Sequence, residues 1–289
     1  MFKSIRFAAN GGAEYCPWCG STKCYTLDET PIRWKCAACR RKFSLTSGTV
    51  LHCRKLSLRD ILAVIALWAN GVKGTSALQM SRNMNVGAKS IFVMLHKLRE
   101  SLGATLDDGE LVGIVEVDGA YVPKRGPKVA NKAADRVSRR DTARQVVVVA
   151  RERDGRARSW VMPSEAAAVP TLRANIASGT EVHAGESPAW NPLHLSYPTK
   201  RINHGQQYVG DNGESVNWAE SYFSRLRRCQ YGQHHRIGGD LLQAYADECS
   251  WRENHRRLSN GEHFRLIATA ALAAPKSSRW AGYWHKRAA

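Results

Sequence analysis

Two acidic residues stand in sequence contexts that suit metal-dependent chemistry. Asp118 ends an apolar, strand-like segment, and Glu220 lies in a later segment with helical periodicity. Carboxylate oxygens are the ligands that Mg²⁺ and Mn²⁺ prefer, and two such ions about 4 Å apart can activate an attacking oxygen and stabilise a leaving one. Asp118 and Glu220 are therefore candidate catalytic and metal-binding residues if the fold brings them together.

The helical segment around Glu220 places several polar side chains on one face. Asn217, Glu220, Ser224 and Arg227 are spaced by three or four residues, so they line one face of a helix. Facing a strand-end carboxylate, this face could hold a cation through Glu220 and a phosphate through Arg227. A Glu and an Arg at this spacing are more often a surface ion pair, and that alternative stays open.

Four of the eight cysteines have the spacing of a metal site. Cys16 and Cys19 form one Cys-x-x-Cys pair, and Cys36 and Cys39 form the second. This spacing is typical of a zinc ribbon, in which four thiolates surround one Zn²⁺ and leave no open position for a substrate. We expect structural zinc here, with a redox pair or unrelated buried thiols as the alternatives.

Three helices are predicted after the cysteines. The apolar spacing indicates a helix that starts after Ser57 and stops at Asn70-Gly71, a short helix over 75–84, and a longer helix over 88–102. Two short helices followed by a longer one are typical of a helix-turn-helix module, whose last helix enters the major groove of DNA. A plain three-helix bundle fits the same pattern.

The charge of the chain favours a polyanionic partner. Lys and Arg number 43 against 25 Asp and Glu, a net charge of +18, and residues 1–100 hold 16 of the basic residues but only 5 of the acidic ones. A solvated basic surface is the alternative. A basic segment over 124–141 could face DNA near Asp118. The candidate DNA contacts are Arg40, Arg41, Lys42, Arg82, Lys89, Lys124, Arg125 and Lys128.

The second half of the chain has the pattern of a mixed α/β domain. Strands are predicted over 111–118, 145–151, 158–162 and 181–184, with a helix over 165–177 and a further helix from about Glu214. This β-β-β-α-β-α order is that of a ribonuclease H-like fold, a mixed sheet flanked by helices. The predicted class is therefore an α+β or α/β multidomain protein.

Several motifs together resemble one family. The chain is similar to the bacterial insertion-sequence DDE transposases that carry an N-terminal zinc ribbon and a ribonuclease H-like catalytic domain. The resemblance spans nearly the whole chain, and the segments that carry it are the four-cysteine ribbon and residues 115–121, 202–208, 217–220, 231–235 and 248–254. By position, the family's first acid is Asp118, its third-position residues are Asn217 and Glu220, and its trailing basic residue is Arg227.

The resemblance implies an activity, cofactors and partners. It implies a transposase that binds the terminal inverted repeats of an insertion sequence, cuts a strand with two Mg²⁺ or Mn²⁺ ions, and joins the freed 3′ end to target DNA. It also implies a homodimer or higher multimer on DNA. The expected parts are a zinc ribbon over 1–55, a helix-turn-helix module over 56–106, a catalytic domain over 107–260, and a closing helix with a basic aromatic tail over 261–289.

The chain departs from the family at the second acid. That position falls on Gly185, which supplies no ligand, and Glu186 is the candidate substitute. We therefore expect a transposase with impaired cleavage, and the alternative is a catalytically silent DNA-binding protein derived from one. A third hypothesis, a zinc-ribbon transcription factor with an unrelated effector domain, leaves the pattern over 217–254 unexplained.

The chain has no sequence signal for a membrane. The longest apolar run, 61–69, is far shorter than the roughly 20 residues that cross a bilayer. The first residues lack the apolar core of a signal peptide. We expect a bacterial cytoplasmic protein that associates with the nucleoid.

Overall fold

The computed structural model describes most of the chain, in two compact units. The described residues are 2–29, 31–123, 144–203, 208–210, 213–235, 237 and 239–286. Unit 1 combines Met1–Thr105 with Arg257–Ala289, and unit 2 is Leu106–Arg256. The basic segment over 124–141, with Lys124, Arg125 and Lys128, lies outside the described residues.

The regular elements follow in chain order. The α-helices are α1 (Phe2–Arg6), α2 (Leu58–Asn70), α3 (Ala77–Met84), α4 (Ala88–Gly103), α5 (Val169–Arg173), α6 (Asn217–Cys229), α7 (Leu242–Asn254), α8 (Asn260–Ala273) and α9 (Tyr283–Lys286). The strands are β1 (Cys24–Leu27), β2 (Arg33–Cys36), β3 (Lys42–Phe43), β4 (Ile114–Pro123), β5 (Arg144–Glu152), β6 (Ala157–Met162), β7 (Glu181–Ala184) and β8 (Thr199–Arg201).

Unit 1 begins with a small antiparallel sheet in the order β1-β2-β3. Its core is three aromatic side chains: Trp34 stacks on Phe43 at 5.8 Å, and Phe7 meets Trp34 edge-on at 5.8 Å. So small a core does not hold a fold by its own burial, which is why domains of this size use a metal.

Helices α2 and α4 start where the sequence predicts them, and α3 starts two residues later than predicted. Ser57 begins α2 with a capping box, in which its hydroxyl accepts from the Asp60 N–H and the Asp60 carboxylate accepts from the Ser57 N–H. Asn85 ends α3 in the left-handed conformation, at φ 49°. Helix α8 comes from the far end of the chain and packs against α1, α2 and α4.

Unit 2 is built on a five-stranded mixed sheet in the order β6-β5-β4-β7-β8. Strand β5 runs antiparallel to both β4 and β6, whereas β4, β7 and β8 run parallel to one another. This confirms the predicted ribonuclease H-like class. The fifth strand, β8, was not predicted, and the helix expected over 165–177 is a 3₁₀ turn followed by the short α5, with Pro170 in the first turn of α5.

The central strand β4 divides its side chains between two cores. Val115 and Val117 pack with Trp190 on one side of the sheet. Ala120 and Val122 pack with Tyr222 of α6 on the other side. Because side chains alternate along a strand, Glu116 and Asp118 belong to the side that faces α6.

None of the described helices combines the length and the apolar composition that a bilayer crossing requires.

Candidate active site

Asp118 and Gly185 are neighbours on adjacent parallel strands. In the β4–β7 pairing, Val117 lies opposite Ala184, and the Gly185 N–H donates to the Val117 carbonyl at 3.4 Å. A Cβ atom added at Gly185 would lie 3.1 Å from Oδ1 of Asp118. Any side chain at position 185 would therefore stand directly beside the Asp118 carboxylate.

The backbone does not require glycine at position 185. Gly185 is buried, but it lies outside the set of residues with positive φ, so an L-amino acid can adopt its conformation. Among the described residues, the atoms within 4 Å of the added Cβ belong to the Asp118 carboxylate, which would have to shift by a few tenths of an ångström. A side chain at position 185 therefore requires a small shift of the Asp118 carboxylate and no change of backbone conformation.

A second carboxylate on β4 fixes the start of α6. The buried Glu116 side chain accepts from the backbone N–H of Trp218 at 2.7 Å and of Ala219 at 3.2 Å. A carboxylate is favoured here because the first N–H groups of a helix have no partner within the helix. Glu116 therefore holds the first turn of α6, which contains Glu220, over the strand that carries Asp118.

The same carboxylate joins a buried network that includes β7. Ser215 Oγ donates to Glu116 at 3.1 Å, and Arg153 Nη2 donates to it at 3.3 Å. The Ser215 N–H and Arg153 both reach Nδ1 of His183, at 3.1 Å each. Since Nδ1 accepts, Nε2 carries the proton and donates to Glu181 at 2.7 Å. The strand before Gly185 is thus tied to the start of α6.

A second network ties α6 to the end of α7. Arg151 Nη2 contacts Glu253 Oε2 at 3.0 Å with both side chains buried, and Arg151 Nη1 donates to the Trp218 carbonyl at 3.0 Å. Burial alone would raise the pKa of Glu253, but the hydrogen bond from Arg225 and the charges of Arg225 and Arg151 hold that pKa below its ordinary value. The first turn of α6 is therefore fixed by charged groups from both sides.

The predicted helix face points away from the core. Ala219, Tyr222, Phe223 and Leu226 are buried on one side of α6. On the other side Asn217 and Arg227 are exposed and Glu220 is half-buried. The Arg227 guanidinium lies 6.0 Å from the ring centre of Phe223. Glu186, the candidate substitute for the second acid, is exposed.

The acidic side of the sheet offers too few ligands for a pair of metal ions. Among the described residues, only the four cysteines gather three or more ligating groups around one point. A site for two divalent ions is built from several oxygen ligands, most of them carboxylates. Glycine at position 185 adds no ligand to Asp118 and Glu220.

The four cysteines do fit a metal ion. Their Sγ atoms all lie within 4.8 Å of one another, with Cys16 and Cys39 at 3.5 Å and Cys19 and Cys36 at 3.6 Å. A tetrahedral zinc site with Zn–S bonds of about 2.3 Å places its sulfurs roughly 3.8 Å apart. The backbone N–H of Cys39 lowers the pKa of Cys36 to about 6, which favours the thiolate that a metal binds.

Each cysteine pair is closed by a residue in the left-handed conformation. Gly20 has φ 74° and Arg40 has φ 61°. The Gly20 N–H donates to the Cys16 carbonyl at 2.9 Å, and the Arg40 N–H donates to the Cys36 carbonyl at 3.1 Å. These two turns aim both pairs of sulfurs at the same point.

The candidate DNA contacts within the described residues lie on the surface. The exposed ones are Arg40, Arg41, Lys42, Arg82 and Lys89. Lys42 pairs with Glu29 at 2.9 Å, and the Arg41 guanidinium lies 5.9 Å from the ring centre of Trp18. The remaining candidates, Lys124, Arg125 and Lys128, lie outside the described residues.

The sheet order and the helix packed on it define unit 2 as a ribonuclease H-like α/β domain. Residues 110–254, half of the chain, match the model of the ISXO2-like transposase domain. The chain therefore belongs to the ISXO2-like transposase family, which implies DNA binding, transposition and the use of a divalent metal. A comparison with curated proteins found no match.

Sequence reasoning missed the residues that position the site. Glu116, Arg151, Arg153 and Glu253 were not singled out, although they hold α6 in place. A signal was present, because Glu116 stands between two valines in an apolar strand and Arg151 follows four valines and an alanine. A charged residue in such a strand requires a buried partner.

Proposed function

We propose that this chain is a DNA transposase that binds the terminal inverted repeats of an insertion sequence through unit 1. The exposed basic residues of the ribbon and of α3 and α4 support this role, as does the charge of the first hundred residues. Helix α4 would enter the major groove as the recognition helix of a helix-turn-helix module. The proposal includes at least a dimer, because transposition joins two ends.

Asp118 and Glu220 are proposed as the catalytic carboxylates. The observation that carries this assignment is the Glu116 cap, which seats the first turn of α6 on the same side of β4 as Asp118. Asn217 and Arg227 lie on the outer face of that helix and would contact the DNA backbone. Glu220 and Asp118 together would supply two of the three acidic groups that strand cleavage in this family uses.

We propose further that cleavage is impaired. The position beside Asp118 is Gly185, and an acid there would help to hold a cation at the reacting phosphate. Loss of one group that stabilises developing charge typically lowers the rate by a factor of about 100 to 1,000. The alternative function, a catalytically silent protein that binds element ends, is favoured by the same glycine.

Cleavage of a labelled duplex that carries the terminal repeat tests both functions. We expect the wild-type chain to bind the duplex and to nick it slowly in Mg²⁺ or Mn²⁺, and Asp118→Asn to abolish the nicking. Binding with no nicking under either ion would establish the silent alternative. Failure to prefer the repeat over a scrambled duplex of equal length would contradict both.

The exposed Glu186 is tested in the same assay. If its carboxylate substitutes for the missing acid, Glu186→Gln removes the residual nicking as completely as Asp118→Asn does. If it does not, the variant nicks at the wild-type rate. We propose the second outcome, because residue 185 points toward Asp118 and side chains alternate along an extended chain.

A further inference from the structure

A cavity of about 430 Å³ lies within unit 1. Its walls come from the segment that follows the ribbon, from α4 and from the C-terminal segment that contains α9. A volume of this size is in the range of small-ligand pockets and is enough for a single nucleotide. Of the residues proposed above to contact DNA, Lys89 alone belongs to its wall as described.

The cavity is strongly cationic. Five basic residues line it: Arg54, Lys55, Lys89, Lys97 and Lys276. No Asp or Glu is among the described residues of its wall. Like charges gathered without an acid repel one another and are stabilised by an anion. The wall is therefore complementary to a negatively charged ligand.

Lys97 lies where a bound anion would stabilise its charge. Its side chain is only 9% exposed, and within the described part of the chain it makes no hydrogen bond or ion pair. Burial lowers the pKa of Lys97; the charges of Cys53 and Glu100 act against this, and the charge of Lys276 adds to it. The Lys97 and Lys276 side chains line the same cavity, and a phosphate between them would offset the repulsion of their charges.

Aromatic rings form another part of the wall. Trp280 stacks on His96 at 4.5 Å and meets Tyr283 at 4.5 Å, so these rings form one packed group. Trp284 is 38% exposed, and its Nε1 donates to the Lys89 carbonyl at 3.1 Å, which fixes the ring. The Lys89 ammonium lies 5.6 Å from the centre of the Trp284 ring. A fixed and partly exposed indole is a surface on which a base can stack.

We propose that this cavity binds one unstacked nucleotide, with its phosphate on Lys97 and Lys276 and its base on Trp284. The cations alone would also suit an acidic peptide, but the aromatic group beside them favours a base. A base inside an intact duplex cannot reach such a pocket, so the nucleotide is a free one or belongs to a single-stranded segment. The inference deepens the DNA-binding role proposed for unit 1 and rests on it for the single-strand source.

The test uses the full chain and four ligands: deoxyadenosine, deoxyadenosine monophosphate, a single-stranded oligonucleotide with one 2-aminopurine, and a poly-glutamate peptide. We expect the monophosphate to bind at least tenfold more tightly than deoxyadenosine. The oligonucleotide should show quenched 2-aminopurine fluorescence, because the base stacks on an indole. Equal affinities for the monophosphate and the nucleoside, or tighter binding of poly-glutamate, would overturn the proposal.

Three variants locate the binding. Lys97→Met replaces a cation by an apolar side chain of similar length, so we expect the fold to be retained. The affinity for the monophosphate should fall at least tenfold, and the affinity for deoxyadenosine should not change. Trp284→Ala should lower the affinity for the oligonucleotide about tenfold and abolish the quenching of the 2-aminopurine fluorescence. The matched control, Lys73→Met, removes the same charge from an exposed position outside the cavity and should change nothing. Equal effects of Lys97→Met and Lys73→Met would contradict the assignment.

The two proposals fail separately. If the chain binds the monophosphate but not the terminal-repeat duplex, the nucleotide pocket stands and the role in end binding is wrong. If it binds the duplex but neither the monophosphate nor the oligonucleotide, end binding stands and the pocket is wrong. Binding of the monophosphate without the oligonucleotide identifies a free nucleotide as the ligand.

Discussion

Glu116 and Asp118 are carboxylates on one strand with different surroundings. Glu116 is buried and accepts from four groups, two of them the N–H groups that begin α6. Asp118 is half-buried and stands beside the space at Gly185. Glu116 positions α6, whereas Asp118 is the residue that we propose for catalysis. Because both residues are acidic, residue type alone does not show which of them has which role.

Replacement of Glu116 by glutamine should destabilise unit 2. The amide keeps one acceptor but brings an N–H₂ group toward donors, so at least one buried donor loses its partner. We expect the free energy of unfolding to fall by about 2–3 kcal/mol. Urea denaturation measures this, with Glu181→Gln as the matched control. Glu181 is 33% exposed, so its loss should cost less than about 1 kcal/mol. Equal losses would contradict the buried cap.

Asp247 on α7 should make stability depend on pH. Burial raises the pKa of Asp247 to about 6, above the roughly 3.9 of an unfolded chain. Its contribution to folding is therefore present below about pH 4 and is lost as the pH rises through 6. We expect Asp247→Asn to exceed the wild-type free energy of unfolding by about 3 kcal/mol at pH 7–8, because each pKa unit corresponds to about 1.4 kcal/mol, and to match it near pH 3.5. Denaturation across this range, with the exposed Asp108→Asn as control, checks it, and a constant difference would contradict it.

At the scale of elements, helix positions that are marked by neighbouring residues could be predicted, whereas contacts between residues far apart in the chain could not. The capping residue Ser57, the left-handed Asn85 and the helical spacing of apolar residues fix where α2 and α3 lie, and all are readable over a few positions. Strand β8 spans only Thr199–Arg201 and has no alternation to detect. The Arg151–Glu253 pair joins residues a hundred positions apart, which a single sequence does not link.

The metal should hold the ribbon together. We expect one zinc ion per chain, and we expect a chelator to unfold residues 16–43, because three aromatic side chains are too small a core. Hydrogen exchange of these residues and metal analysis measure both effects. Cys36→Ser should lose the ion, whereas Cys24→Ser should keep it, since Cys24 lies outside the group of four. Unchanged exchange after chelation would contradict a structural metal.

At the scale of the whole molecule, the chain folds back on itself in a way that the sequence did not reveal. Helix α8 follows unit 2 along the chain but packs against α2 and α4 of unit 1. The sequence predicts a closing helix in this region, and in the structure α8 starts at Asn260 with a capping box at Ser259. The sequence does not show which helices pack against α8, because an amphipathic pattern indicates a buried face without identifying the elements that bury it.

The charge of the chain predicts strongly salt-dependent DNA binding. Each phosphate contact made by Lys or Arg releases counterions, so the logarithm of the affinity should fall linearly with the logarithm of the salt concentration. We expect Arg82→Gln and Lys89→Gln each to reduce the slope by about 0.9. Lys3→Gln is the control, because Lys3 pairs with Glu14 at 2.6 Å. A slope that is unchanged in both variants would exclude these residues from the interface.

The most direct measurement is the nicking rate of the terminal-repeat duplex in Mg²⁺ with Gly185→Asp, compared with the wild type and with Gly185→Asn. The aspartate would place its carboxylate beside Asp118 on a backbone that accepts it, and the asparagine has the same size without the charge. We predict that Gly185→Asp nicks at least about 100-fold faster than the other two and that a second change, Asp118→Asn, removes the gain. Equal rates for the aspartate and asparagine variants would contradict the assignment of position 185 to the active site.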